Sequence, residues 1–420
     1  MLISEKISEK KIGYWDFTEK KANNIHSICR YPATMVPDMQ KELISIIMEQ
    51  DHEIRNILDP FHGSGVTLVE GANLNLTPVG IDINPLANLI TRVKLQGINK
   101  LEITNSIKKI QTKLEDDNYE FERHTFNNIE KWYRSDFIFT FSKIKSVISE
   151  EKCANIRRYF WVCLINILKK YSNTRTSTFK LHVKTLEDIE SMKNNIIQDF
   201  LNSIKKNYEY LPNYSRDRKV SLRIGDSIEE LRNIHDNSVD IVCTSPPYGD
   251  NSTTVTYGQY SSLPLFWIDS KDLGSFDQKL LLNYSSIDSQ SLGGSKRKIS
   301  TEFKSTELEL YLSKITENKR RKVESFVNDY LSVMKELTRV TRVSGYIMLT
   351  IGNRRVDNVI VPLTSITKEF FLENNMYLEA ELTRNIPFKR MPKRVSRVND
   401  KSVESMNTEY VLIFRKLNSN

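Results

Sequence analysis

Asn56-Ile57-Leu58-Asp59-Pro60-Phe61-His62-Gly63-Ser64-Gly65-Val66-Thr67 is the stretch that decides how this 420-residue chain folds. A short apolar run ends at an acid and a proline, crosses two glycines and enters the amphipathic segment Leu68 to Leu74. That order reads as strand, tight turn, helix. Glycines let backbone approach a ligand closely, and a helix N-terminus offers unpaired N–H groups. A second strand, Pro78 to Ile81, ends at Asp82, where a nucleotide-binding α/β fold places an acid for ribose hydroxyls. The alternative for Asp82 is a helix N-cap ahead of Asn84-Pro85.

A third strand-like run, Val239 to Cys243, leads straight into Thr244-Ser245-Pro246-Pro247-Tyr248. Neither proline donates a ladder hydrogen bond, and each fixes its own φ while restricting the residue before it. The result is a stiff loop at a strand end that presents the Ser245 hydroxyl, backbone carbonyls and the Tyr248 ring. Such a loop suits a flat heterocycle with an exocyclic amine. Standing alone it would read as a proline turn with a packed tyrosine.

Together these residues resemble the S-adenosylmethionine-dependent amino DNA methyltransferases. Leu58 to Gly65 is similar to the family's cofactor loop, and Ser245-Pro246-Pro247-Tyr248 is similar to its catalytic tetrapeptide in the cytosine-N4 form. Tyr31-Pro32-Ala33, Gly225-Asp226-Ser227 and Gly352-Asn353-Arg354 match further family elements in order. The resemblance implies S-adenosylmethionine as cofactor. It assigns Asp59 to the methionine end, with Phe61, Gly63, Ser64 and Gly65 lining it, Tyr31 and Pro32 packed nearby, Asp82 on the ribose and Asp226 on the adenine amine. Catalysis falls to Ser245, Pro246, Pro247 and Tyr248. The implied partner is double-stranded DNA, with a cognate restriction endonuclease as companion; the rival targets are adenine N6 and RNA. A noncatalytic nucleic-acid-binding subunit is the reading from another class.

The fold expected is an α/β, Rossmann-like seven-stranded methyltransferase sheet with a helical insertion subdomain. Its later strands are Val220 to Ile224, Val239 to Cys243, Tyr346 to Ile351, Leu378 to Thr383 and Glu409 to Phe414. The methyltransferase domain is divided into residues 26–99 and 216–420. Between them, residues 100–215 carry apolar side chains at helical spacing: Ile103, Ile107, Ile110, Leu114; Phe137, Phe141, Ile144, Ile148; Phe160, Leu164, Ile167; and Ile189, Met192, Ile196, Phe200, Ile204. A second insert, residues 249–318, follows the catalytic loop and includes a flexible Ser/Gly/Lys-rich run, Ser289 to Ser300, with Gly293-Gly294 at its tip. Either insert, or both, could read DNA sequence. The large insert precedes Gly225-Asp226-Ser227, where the common family orders have none.

A formal net charge of +8 suits a polyanionic partner, although a chain rich in Lys, Ile and Asn carries such a bias anyway. Local clustering is the sharper signal. The segment from Arg384 through Lys389, Arg390, Lys393 and Arg394 to Arg397 holds six cations and no acid, and is expected to be a phosphate-contacting loop. The linker Lys169 to Lys180 is a further nucleic-acid face or a plain interhelix loop. Cys29, Cys153, Cys163 and Cys243 fall in no metal spacing and no disulfide pattern, which suits the reducing cytoplasm. The chain has no Pro-Cys pair, so the thiolate chemistry of carbon-5 cytosine methylation is excluded. No signal peptide, membrane span or metal site is expected, and the oligomeric state is open.

Overall fold

The computed structural model describes residues 2–17, 24–212, 219–249, 254–294, 303–386, 394–398, 401–404 and 408–418. Seven strands form one sheet: β1 (Asn56–Asp59), β2 (Thr77–Asp82), β3 (Ser221–Ile224), β4 (Val239–Thr244), β5 (Thr341–Ile351), β6 (Met376–Asn385) and β7 (Thr408–Lys416). Their order is β3-β2-β1-β4-β5-β7-β6. The first five run parallel, and β7 lies antiparallel between β5 and β6. This is the Rossmann-like seven-stranded sheet expected, each strand falling close to its apolar run.

Side chains alternate across the sheet, as the two-residue period of a strand requires. Ile57, Ile241, Cys243, Met348 and Ile413 enter one apolar cluster. Leu58, Val242, Ile347, Leu349 and Leu412 enter the other. Helices Pro37–Met48, Val66–Asn73 and Pro85–Leu95 cover the first face, whereas Ser227–Arg232, Glu317–Val340 and Leu363–Glu373 cover the second.

The first insert builds outward from the first face. Its helices Lys100–Glu115, Ser135–Ser149, Ala154–Lys170 and Ile196–Tyr208 bury Ile103, Phe141, Phe160 and Phe200 in the same cluster as Leu86, Leu89 and Val93 of the sheet helix. The expected helix through Ile189 and Ile204 is broken into Leu186–Glu190 and Ile196–Tyr208. Arg134 Nη1 donates to the carbonyls of Ile189, Glu190 and Met192 at 3.1, 3.1 and 2.8 Å, replacing the helical donors those oxygens would need.

The two inserts interlock. Trp267, on helix Tyr257–Trp267 of the second insert, is fully buried, 5.5 Å from the Tyr133 ring and 5.4 Å from that of Phe141. Asp272, 1% exposed, accepts from Arg157 Nε and Nη2 at 2.6 and 2.7 Å and from Trp161 Nε1 at 2.9 Å. Asp272→Ala would leave the Arg157 guanidinium buried without its carboxylate. A stability loss of about 3 kcal/mol is expected from urea unfolding, and a loss within about 0.5 kcal/mol would show that solvent reaches Arg157 easily.

Two loop expectations change. Gly293 is packed, not a flexible tip: its N–H donates to Asp329 Oδ2 at 2.8 Å, and its φ of +67° and the Phe326 Cβ, 2.9 Å from where a methyl would stand, both favour glycine. Residues 295–300 lie outside the described set. The basic segment is not all loop, because Arg394–Val398 pairs with Lys401–Glu404 as a small antiparallel hairpin.

Candidate active site

The carboxyl ends of β1 to β4 lie along one edge of the sheet and deliver Asp59, Asp82, Asp226 and Ser245 to it. This is the edge at which open α/β sheets bind ligands. Glu409 joins them from the start of β7, since Tyr410 pairs with Ile351 at the end of β5.

Asp59 is fully buried, and both its oxygens are engaged inside the protein. Oδ1 accepts from Thr244 Oγ1 at 2.6 Å and from the Phe61 N–H at 3.0 Å, and Oδ2 accepts from Thr67 Oγ1. Burial pushes its carboxyl above the usual range. A group so occupied is not presented to a methionine moiety. It ties the glycine turn to the residue preceding Ser245, and this corrects the role that the resemblance implies.

The turn itself is shaped by Asp82. Its Oδ2 accepts the Gly63 N–H and its Oδ1 the Asn84 N–H, both at 2.8 Å. The cap of helix Pro85–Leu95 is Asn84, whose Oδ1 accepts from Leu86 N, so Asp82 is free of that duty. Asp82 remains half-exposed, and burial raises its carboxyl to about 6. Gly65 has φ +77°, and a Cβ there would stand 2.6 Å from the Thr91 side chain. Lys94, fully buried and lowered by burial to about 8, donates to the Ser64 carbonyl from beneath the turn. His62 also points inward, its Nδ1 on the Gly63 carbonyl at 2.9 Å, and burial lowers it to about 4. Neutral and enclosed, it supports the turn and is no exposed base.

Tyr31 packs over this turn, its ring edge 3.4 Å from the position of a Gly63 Cβ, and Pro32 beside it is buried. Its hydroxyl accepts from Asn84 Nδ2 at 3.0 Å. Phe61 is half-buried against the second cluster, as is Tyr248. Asp226 caps helix Ser227–Arg232 by accepting from Ile228 N at 2.9 Å, while Ser227 Oγ donates to the Pro60 carbonyl at 2.6 Å.

In the catalytic-type loop, Ser245 Oγ and the Tyr248 hydroxyl lie 3.2 Å apart, and that hydroxyl donates to Glu409 Oε1 at 3.2 Å. Burial, with Glu409 beside it, holds the phenol well above its ordinary pKa and so protonated. Arg384 corrects a second expectation. It is 4% exposed and forms an ion pair with Glu409 across β6 and β7, with Nε 2.9 Å from Oε2. A buried, paired guanidinium does not reach a phosphate. Arg394 lies in the short hairpin, and Lys389, Arg390 and Lys393 lie outside the described residues. Arg354 does reach the loop, because a Cβ on Gly249 would meet its guanidinium at 2.4 Å.

Two members of the site escaped the sequence reading. Tyr257 stacks on Tyr31 with centroids 5.8 Å apart and 25° between planes, and lies within electrostatic reach of Asp82 and Tyr248. Its helix is anchored by Asp288, which accepts the Gly258 N–H at 2.9 Å, and by Ser261 Oγ, which accepts from Asn84 Nδ2 at 2.7 Å. The position of the second insert directly after the catalytic loop was the available signal. Glu409 had none, since a single acid opening a strand looks ordinary. The Lys169 to Lys180 linker is internal only at its start, where Lys169 Nζ donates to the Tyr260 carbonyl at 2.9 Å and Ser172, Asn173 and Thr174 are buried; Arg175, Phe179 and Lys180 are exposed.

Among the described residues no group of acids, histidines and cysteines has the arrangement of a metal site, and no helix is long and apolar enough to cross a membrane. No family model matches the chain. It is 29% identical to the type II methyltransferase M.MvaI of Kocuria varians across 98% of this chain and 96% of that one. It is 28% identical to the type II methyltransferase M.MjaII of Methanocaldococcus jannaschii over 39% of this chain and 33% of that one. Among solved structures, TTHA0409 of Thermus thermophilus complexed with S-adenosyl-L-methionine aligns at 14% identity, 47% of this chain, 55% of that one and a TM-score of 0.24.

Proposed function

We propose that this chain, which is similar to two type II methyltransferases, transfers a methyl group from S-adenosylmethionine to the N4 amine of a flipped cytosine in duplex DNA. The observation that carries this reading is the meeting, at one sheet edge, of the Asp82-shaped glycine turn and the Ser245-to-Tyr248 loop, braced together by Asp59. The residues present fit the cofactor. Asp82 is a half-exposed acceptor for ribose hydroxyls, and the Tyr31–Tyr257 pair offers aromatic faces suited to a sulfonium cation.

When bound, the cofactor supplies an electrophilic methyl group on a sulfonium. The chain's part is to bring a poor nucleophile to it, since the lone pair of a cytosine amine is delocalised into the ring. Flipping the base costs a few kcal/mol, and stacking on the Tyr248 ring returns about 1–3 kcal/mol. Ser245 Oγ and the Pro246 carbonyl accept the amine hydrogens, which restores electron density to nitrogen. The rest of the acceleration is positioning. The Cys243 thiol just before the loop takes no part, because it is buried and donates to Gln40 Oε1 at 3.3 Å. Ser245 in place of an acid favours cytosine over adenine. The interlocked inserts, which bring Tyr257 to the site, are the surface that reads DNA sequence, and the basic segment around Lys389 contacts phosphate. A role in a restriction-modification system accords with the type II relatives.

Cofactor binding should depend on pH. Burial holds the proton on Asp82 up to about pH 6, and the ribose hydroxyls need the anion as acceptor, so binding releases that proton. Affinity by calorimetry is expected to be flat above pH 7 and to weaken about tenfold per unit well below pH 6. An equal Kd at pH 5 and pH 7.5 would remove Asp82 from the ribose. Transfer of label from methyl-labelled S-adenosylmethionine to duplex DNA but not to RNA tests the substrate class; label in RNA alone would overturn it.

A further inference from the structure

The hydroxyls of Ser245 and Tyr248 and the carboxylate of Glu409 form a chain of two hydrogen bonds, 3.2 Å each, and its direction follows from elementary donor counting. A carboxylate only accepts, so the single Tyr248 proton points to Glu409 Oε1. The Tyr248 oxygen can then only accept from Ser245, which fixes the Ser245 proton on it. What Ser245 presents on its remaining side is lone pairs alone. Arg384, buried and 2.9 Å from the other Glu409 oxygen, places a positive charge beside the carboxylate as its ion-pair partner.

We propose that Glu409 is a positioning residue that acts through Tyr248 to orient the Ser245 hydroxyl as an acceptor for the target amine. This rests on the amino-methyl-transfer reading above and adds to it a group on β7, far in sequence from the catalytic loop. Without the carboxylate the Ser245 proton would be free to turn toward the amine, setting donor against donor.

Glu409→Gln tests the direction of the chain as well as its presence. Arg384 would draw the amide oxygen to itself and leave the NH2 group on the Tyr248 oxygen. Tyr248 would then donate to Ser245, and the Ser245 proton would be turned out toward the amine. The expected result is a kcat about tenfold lower, with cofactor Kd and KM for DNA within about twofold of the parent. In a Tyr248→Phe background, where the chain is already cut, Glu409→Gln should change kcat by less than about twofold. A Glu409→Gln enzyme with parental kcat, or one losing the same factor in both backgrounds, overturns the proposal. If Glu409→Gln does not fold, Tyr248→Phe alone should lower kcat about fivefold with KM unchanged, and an unaltered kcat overturns it. Absence of methyl transfer by the parent protein would instead strike at the proposed function.

Discussion

Tyr248→Ala is expected to lower the single-turnover rate of methyl transfer at least about 100-fold while cofactor Kd stays within about twofold. The ring is the aromatic platform of the loop that follows β4, and its stacking on a flipped base is worth about 1–3 kcal/mol. Truncation also removes the hydroxyl between Ser245 Oγ and Glu409 Oε1, so the acceptor beside the amine loses its orientation. The cofactor side should be spared, because Gly63, Asp82 and Asn84 are held by one another and not by Tyr248. A 2-aminopurine substitution at the target position would report whether the base still leaves the helix. Parental turnover in Tyr248→Ala would contradict the stacking role.

Asp82→Ala is expected to act in the opposite sense, weakening cofactor binding by about 100-fold or more. Hydrogen bonds to a charged group contribute about 1.5–3 kcal/mol each, and this carboxylate would give up its ribose contacts. It would also release the Gly63 and Asn84 N–H groups that shape the turn. At saturating cofactor, turnover should recover to within about threefold, since the Ser245 loop is braced by Asp59 through Thr244. Calorimetry of S-adenosylmethionine binding decides it. Unchanged affinity would return Asp82 to a purely structural role.

The centre of the sheet was legible in the sequence because β1 and β4 are short, largely apolar runs, and a strand buried on both faces needs just that composition, whereas the edge strands β3 and β6 mix apolar with charged residues and show more weakly. The glycine turn and the Ser245 loop were legible for the same local reason. What escaped the sequence depends on distance along the chain. Asp59 looked like a ligand-facing acid, yet its partners Thr67 and Thr244 lie 8 and 185 residues away and saturate it. Arg384 sat at the head of a basic run and was grouped with it. The strand extends two residues past Thr383, which carries Arg384 into the sheet opposite Glu409. The break between Glu190 and Ile196 was hidden because Arg134, more than fifty residues upstream, takes the carbonyls that end the first helix. Tyr257 lies inside the second insert, where local sequence pattern carries no sign that it stacks on Tyr31.

The central claim is that the Ser245 loop presents acceptors to a cytosine amine, and mass spectrometry of nucleosides tests it most directly. Unmethylated duplex DNA would be incubated with the protein and S-adenosylmethionine, digested to nucleosides and resolved by mass and retention. The account predicts N4-methyldeoxycytidine, absent when Tyr248→Ala replaces the parent at equal concentration and time. N6-methyldeoxyadenosine or 5-methyldeoxycytidine as the product, or no methylated nucleoside although cofactor binds, would contradict it.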